Sequence, residues 1–238
     1  MKTIGLIGGM SWESTAVYYQ LINEAMRERL GGLHSGEIVL RSLDFDAVVR
    51  LQTEGRWDAA ADMLASAGEG LVKAGAECVL ICTNTMHLVS APVAERAGVP
   101  LIDIIDETAE ALKRAGIVRP LLLATRYTME HGFYAERMKR HGITVSTPDE
   151  KGRQRIHDVI FDELCQGRID AQSRSDVLGL VDDAVRGGAD GVILGCTEIS
   201  LLIDPDALPV KGFDSTRIHA DAAVAFALAG APQMESAA

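Results

Sequence analysis

Aromatic side chains are scarce in this chain: Phe, Trp and Tyr together make up 5% of its 238 residues. That scarcity argues against an aromatic-rich β-sandwich. No apolar run approaches the roughly 20 residues that a membrane span needs, so no membrane association is expected. Basic runs are missing as well, and 23 Lys and Arg against 34 Asp and Glu leave a net charge of −11. A nucleic-acid surface, which needs clustered positive charge, is therefore not expected. Met1-Lys2 leads directly into a predicted strand without the pattern of a secretory signal, so a cytoplasmic location is expected. The four cysteines, Cys78, Cys82, Cys165 and Cys196, lack zinc-site spacing. Cys78 and Cys82 lie four apart in a predicted strand, too extended to clasp one ion, so free thiols and no metal are expected.

What is present is aliphatic. Hydrophobic residues make up 47% of the chain and are joined by 23 glycines, which suits strands alternating with helices and tight turns: the α/β class. Strands are predicted at Thr3 to Ile7, Glu37 to Leu43, Cys78 to Cys82, Pro100 to Ile105, Leu121 to Ala124, Thr144 to Ser146, Val192 to Leu194 and Pro209 to Phe213. The intervening helices include Glu13 to Arg29, Ala59 to Ala74, Gln154 to Cys165 and Ser173 to Arg186. Gly8-Gly9-Met10-Ser11, after the first strand, resembles a phosphate loop but has neither G-x-G-x-x-G nor the Walker lysine. Its glycines more simply let the chain turn tightly. Asp44 and Asp46 read as turn residues.

The chain repeats itself. A slide of 113 positions lays Val72-Lys73-Ala74-Gly75-Ala76-Glu77 on Val185-Arg186-Gly187-Gly188-Ala189-Asp190, and Val79-Leu80-Ile81 on Val192-Ile193-Leu194. Each half reads as β-α-β-α-β followed by a fourth strand. The expected fold is two pseudo-symmetric α/β domains, each around a mainly parallel sheet flanked by helices, with a site in the cleft between their strand carboxyl ends. The expected boundaries are residues 1–98 plus about 214–230 for the first domain, 99–213 for the second, and a frayed tail at 231–238. A single doubly wound domain is the alternative.

Ala189 to Ser200, A-D-G-V-I-L-G-C-T-E-I-S, carries the chemistry. Cys196 follows a buried strand and a glycine, and Thr197 and Glu198 resemble the cap and first turn of a helix. A cysteine there is either one more packed core residue or an activated thiol of low pKa. The repeat pairs Cys196 with Thr83, and Gly195 with Cys82. Because side chains alternate along a strand, Thr83 is expected to face the site and Cys82 to pack sideways.

I-C-T-N-T-M-H around Thr83 and G-C-T-E around Cys196 resemble the cofactor-independent aspartate/glutamate racemases, as do G-G-M-S-W-E-S-T, L-G-G-L-H-S and T-R-Y-T-M-E. Within that family the chain is most similar to the broad amino-acid racemase branch. The resemblance implies two-base chemistry at the Cα of a small amino-acid substrate, with no metal or pyridoxal phosphate, and a homodimer. It implies Cys196 as one base and Thr83 or Cys82 opposite, with Met10, Gln52, Asn84, Thr85, Thr125, Thr197 and Glu198 in the substrate site. Most members carry a cysteine where this chain has Thr83, which implies an asymmetric enzyme whose strong base is Cys196. Members preferring aspartate carry a lysine where this chain has Cys165, so Arg41, Arg126 or Lys211 would have to meet a distal carboxylate. His87 reads as an orienting or packing residue rather than an acid-base group. Two other readings stand beside racemisation: a one-cysteine decarboxylase or cis-trans isomerase of small diacids, and a non-catalytic amino-acid sensor.

Overall fold

The computed structural model of the chain describes residues 1–229, and the expected tail at 231–238 lies outside them. The chain divides into two compact units. Among the described residues, one comprises Met1–Cys82, Val89–Asp103 and residues 219–229, and the other Thr83–Leu88 and Ile104–Ile218. Among the described residues no helix is long and apolar enough to cross a membrane.

The first unit alternates strands and helices as β1 (Ile4–Gly8), α1 (Trp12–Leu30), β2 (Ile38–Ser42), α2 (Phe45–Thr53), α3 (Trp57–Lys73), β3 (Cys78–Ile81), α4 (Ser90–Ala97) and β4 (Leu101–Ile102). Its strands form one parallel sheet in the order β2-β1-β3-β4. Parallel strands covered by helices on both faces are buried along their whole length, and β1 and β3 are buried at every position. Ile4, Leu6, Cys78, Leu80 and Cys82 share one core with Tyr18, Ile22 and Met26 of α1. Their spacing of two follows from the pleat.

The second unit runs α5 (Ile104–Arg114), β5 (Pro120–Leu123), α6 (Arg126–Glu130), α7 (Phe133–Arg140), α8 (Glu150–Asp158), α9 (Ala171–Arg186), β6 (Gly191–Leu194), α10 (Thr197–Leu202) and β7 (Gly212–Asp214). Helix α11 (Ser215–Leu228) starts there and passes into the first unit at His219. The sheet is parallel, in the order β5-β6-β7. Its strands alternate between two cores: Leu121, Leu123, Val192 and Leu194 enter one, and Leu122, Ala124 and Ile193 the other. Instead of a fourth strand at Thr144 to Ser146 there is a single parallel bridge from Ser146 to Leu121 of β5. Pro148, with no N–H to donate, follows two residues later and cannot prolong the ladder. Ser146 nonetheless takes beside β5 the place that β2 takes beside β1, so both sheets share one connectivity.

Other boundaries shift for identifiable reasons. The strand expected at Pro100 to Ile105 is cut to Leu101–Ile102 because α5 already begins at Ile104. Asp44 is not a turn residue; it precedes α2, which buries Val48, Leu51 and Gln52. The helix expected at Gln154 to Cys165 widens after Asp158 into a π turn (Val159–Glu163) and tightens to a 3₁₀ turn (Leu164–Gln166), ended by left-handed Gly167.

Candidate active site

The carboxyl end of β6 supplies the thiol. Gly195 separates strand from cysteine because a side chain has no room there: a Cβ would lie 2.8 Å from Leu122 Cδ1 and 3.1 Å from Ala124 Cβ. Cys196 itself, rather than Thr197, occupies the cap position of α10, in an extended conformation. Its Sγ–H donates to Glu198 Oε2 at 2.9 Å. Cys196 is half-buried, whereas Glu198 is buried.

This setting reverses one expectation. Burial pushes the Cys196 thiol well above its ordinary range, and the adjacent Glu198 charge and hydrogen bond push it further. A helix of six residues whose amino terminus meets the thiol does not overcome a neighbouring carboxylate. The resting Cys196 is a protonated thiol with a proton acceptor in contact, not a free thiolate.

The sequence candidates for a second base, Cys82 and Thr83, lie where β3 ends. Cys82 is fully buried in the core with Leu6 and Tyr18, and burial drives its thiol far above the usual range. Thr83, next in the chain, is half-buried and belongs to the second unit. His87 clamps this loop: Nδ1 lies 2.8 Å from the Thr83 carbonyl, and Nε2 accepts from the Ile104 N–H at 3.2 Å. Since Nε2 accepts, the proton sits on Nδ1 and is donated to Thr83 O. His87 thus orients the loop, as the sequence suggests.

Asn84 ties the Thr83 loop to the strand that delivers Cys196. Its Nδ2 donates to Ser215 Oγ at 3.1 Å, and Ser215 Oγ donates to the Leu194 carbonyl at 2.9 Å. With the single hydroxyl proton used on Leu194, Ser215 can only accept from Asn84, which settles the amide orientation. Asn84 Oδ1 is left buried with no protein partner. Thr85, Thr125 and Thr128 form a hydroxyl triangle with edges of 3.0, 3.0 and 3.2 Å. Thr197 meets Thr216 at 3.1 Å. Ser215, Thr216 and Thr128 are the members that sequence reasoning passed over. The first two directly follow β7, so the rule that ligands gather at strand carboxyl ends could have found them.

In the first unit, Met10 and Gln52 are both buried, and Trp12 is exposed. Gly9 has φ +82°, and a Cβ there would strike the Leu43 backbone. Its N–H donates to Thr15 Oγ1 at 2.8 Å, so this amide is occupied and does not serve as a phosphate donor. Cys165 sits in the 3₁₀ turn and packs against the same core as Cys196. Arg126 donates to Gln154 Oε1 at 2.8 Å, Arg41 is exposed on β2, and Lys211 precedes β7, at the end of the sheet away from Cys196. Among the described residues, no three His, Cys, Asp or Glu side chains gather as a metal cage.

The chain is similar to known proteins along most of its length. A family model described as Asp/Glu/Hydantoin racemase matches residues 7–223. The structure of a putative Asp/Glu racemase from Yersinia pestis is 47% identical, with a TM-score of 0.90, covering 96% of this chain and 100% of that one. An aspartate racemase homologue from Pyrococcus horikoshii OT3 is 33% identical, with a TM-score of 0.84, over 95% and 99% of the two chains. Arylmalonate decarboxylase, at 17% identity and a TM-score of 0.59 over 96% of this chain and 94% of that one, shares the fold.

Proposed function

The chain belongs to the Asp/Glu/hydantoin racemase family, whose members are isomerases, and from that premise we infer that it is a cofactor-independent amino-acid racemase. The observation that carries this reading is the Cys196–Glu198 contact at the end of β6. An α-proton is removed only by a base held against it, and a half-buried thiol becomes that base once its own proton has an acceptor. Glu198 takes the Sγ proton, and the thiolate then takes the Cα proton from one face of the substrate. Thr83 delivers a proton to the other face, and its hydroxyl is restored from solvent. The unpaired Asn84 Oδ1 is an acceptor for the substrate ammonium, and the hydroxyls of Thr85, Thr125 and Thr197 stabilise the carboxylate as it gains enolate charge. Cytoplasmic location and a homodimer complete the reading, the latter checked by sedimentation equilibrium.

Thr83 favours one rival. A site with a single thiol suits decarboxylation of a small diacid, in which the carboxylate leaves as CO₂ and Cys196 protonates the carbanion once. Incubating the protein with L- and D-amino acids in D₂O separates the two. Deuterium at Cα with inversion is the expected result. Absence of exchange with every amino acid, together with turnover of a diacid, overturns racemisation in favour of the rival.

A further inference from the structure

A cavity of about 360 Å³ opens at the far end of α10 from the thiol. Its walls are mostly apolar, including Leu178 of α9, Leu201, Ile203 and Pro205. Three polar groups line it too, and each has unused capacity. Arg174 donates Nε–H to the Leu202 carbonyl at 2.8 Å, and its two Nη groups meet no acceptor among the described residues. Asp204 accepts the Asp206 N–H on Oδ1 at 2.9 Å, leaving Oδ2 open. Ser200 Oγ is buried without any hydrogen-bond partner, an arrangement that costs free energy unless something fills it.

We propose that this cavity is a second amino-acid site, which takes an α-amino acid with a branched apolar side chain as its zwitterion. The carboxylate pairs with the Arg174 Nη groups and accepts from Ser200 Oγ–H, the ammonium meets Asp204 Oδ2, and the side chain covers Leu178 and Ile203. One fixed charge of each sign beside an apolar wall suits a zwitterion better than a simple anion or cation, since either of those leaves one charge opposed. The volume lies at the small end for ligand pockets, which fits an amino acid and excludes a nucleotide. Ser200–Leu202 form the last turn of the short helix whose first turn carries Glu198. Occupancy therefore braces the helix that holds the Cys196–Glu198 contact, and the site is regulatory. This inference stands on binding and is independent of the reaction performed at Cys196.

The test is calorimetric titration of the full chain with L-leucine, with 3-methylbutanoate and 3-methylbutylamine as single-charge controls. Leucine should bind well below both controls in dissociation constant. Arg174→Ala should weaken it by about tenfold or more, as loss of a charged hydrogen-bonding partner does. Ser200→Ala, which keeps the packing, should weaken it several-fold, and Cys196→Ser should leave it intact. In the wild type, leucine should slow alkylation of Cys196 by iodoacetamide, an effect absent from Arg174→Ala. A melting curve shows whether the Arg174 variant is folded; if it is not, Ser200→Ala decides. Absence of leucine binding, binding unchanged in the folded variants, or binding lost in Cys196→Ser overturns the proposal.

Discussion

Cys196 Sγ lies 2.9 Å from Glu198 Oε2, and the two residues face each other across a single turn at the start of α10. The contact makes a definite prediction about pH. Burial is the largest cause of the raised Cys196 pKa, followed by the Glu198 charge and its hydrogen bond. Glu198→Gln removes the second and third causes and leaves the first. The thiol pKa should fall, while staying above that of an exposed cysteine, and the pH dependence of alkylation should move to lower pH. Turnover should nevertheless drop by roughly 10² because the proton acceptor is gone. Cys196→Ser should cost on the order of 10³ or more. Wild-type turnover in Cys196→Ser removes this cysteine from the mechanism.

Thr83 and Cys82 make a prediction about symmetry. Enantiomers are equal in free energy in water, so kcat/KM must match for the two directions of a racemase. A thiol on one face and a hydroxyl on the other should still give unequal kcat values, matched by unequal KM values. Thr83→Cys should bring the two kcat values together. Cys82→Ala, deep in the core beside Leu6 and Tyr18, should cost about 1 kcal/mol of stability and leave turnover within a few-fold. Loss of all activity in folded Cys82→Ala would transfer the second base to that thiol.

Much of this was legible in the sequence because it rests on period and repetition. The offset of 113 that aligns Val79-Leu80-Ile81 with Val192-Ile193-Leu194 also aligns the bounds of β3 and β6, Cys78–Ile81 and Gly191–Leu194. The placement of Cys82 in the core follows from the same alternation that puts Cys78 and Leu80 there. What escaped depends on contacts distant in sequence. Helix α2 is short, and its acidic start resembles a turn, so Asp44 and Asp46 read as turn residues and the helix that buries Val48, Leu51 and Gln52 is not apparent. The pKa direction of Cys196 depends on burial and a side-chain rotamer, neither of which a motif encodes. The buried chain from Tyr18 Oη through His219 to the Ile102 carbonyl, at 2.8 and 2.7 Å, joins residues 201 and 117 positions apart.

A second pH prediction concerns stability. Arg137 Nε and Nη2 each lie 2.9 Å from one oxygen of Asp106, and His141 Nε2 also lies 2.9 Å from Oδ1. These contacts join α5 to the end of α7. The Arg137 hydrogen bonds, followed by that of His141, hold the Asp106 carboxyl below its ordinary pKa against the opposing effect of burial. A carboxylate depressed in the folded state stabilises above its unfolded pKa, and that contribution disappears as pH falls through the lower folded value. The loss should therefore appear below about pH 4 and be absent at neutrality. With 38% of the Asp106 side chain exposed, screening limits the effect, and Arg137→Ala should cost about 1 kcal/mol at pH 7. Urea melts at pH 7 and pH 3 check both statements. An equal Arg137→Ala deficit at both pH values would contradict them.

The Asn84–Ser215–Leu194 chain separates positioning from binding. Ser215→Ala removes the acceptor that holds Asn84 Nδ2 and the donor to the Leu194 carbonyl, both buried. Two buried polar groups then lose partners, at a cost of about 2 kcal/mol or more in stability. The amide is also free to turn, so Oδ1 is no longer aimed, and KM should rise several-fold with a smaller change in kcat. Asn84→Asp keeps the shape and gives the site a negative charge. Its carboxylate would repel the substrate carboxylate, and as an anion it has no N–H to donate to Ser215 Oγ. It should be worse than Ser215→Ala in kcat/KM although nearly isosteric. Thr85→Val tests the neighbouring triangle, where Thr125 and Thr128 retain their own 3.2 Å contact after the change. Stability should then change little, and any large loss of kcat reports the loss of a hydroxyl that stabilises the enolate. Were folded Asn84→Ala, which has no Oδ1, to keep wild-type KM, that oxygen would have no part in holding substrate, and the ammonium acceptor would have to be sought at Glu198.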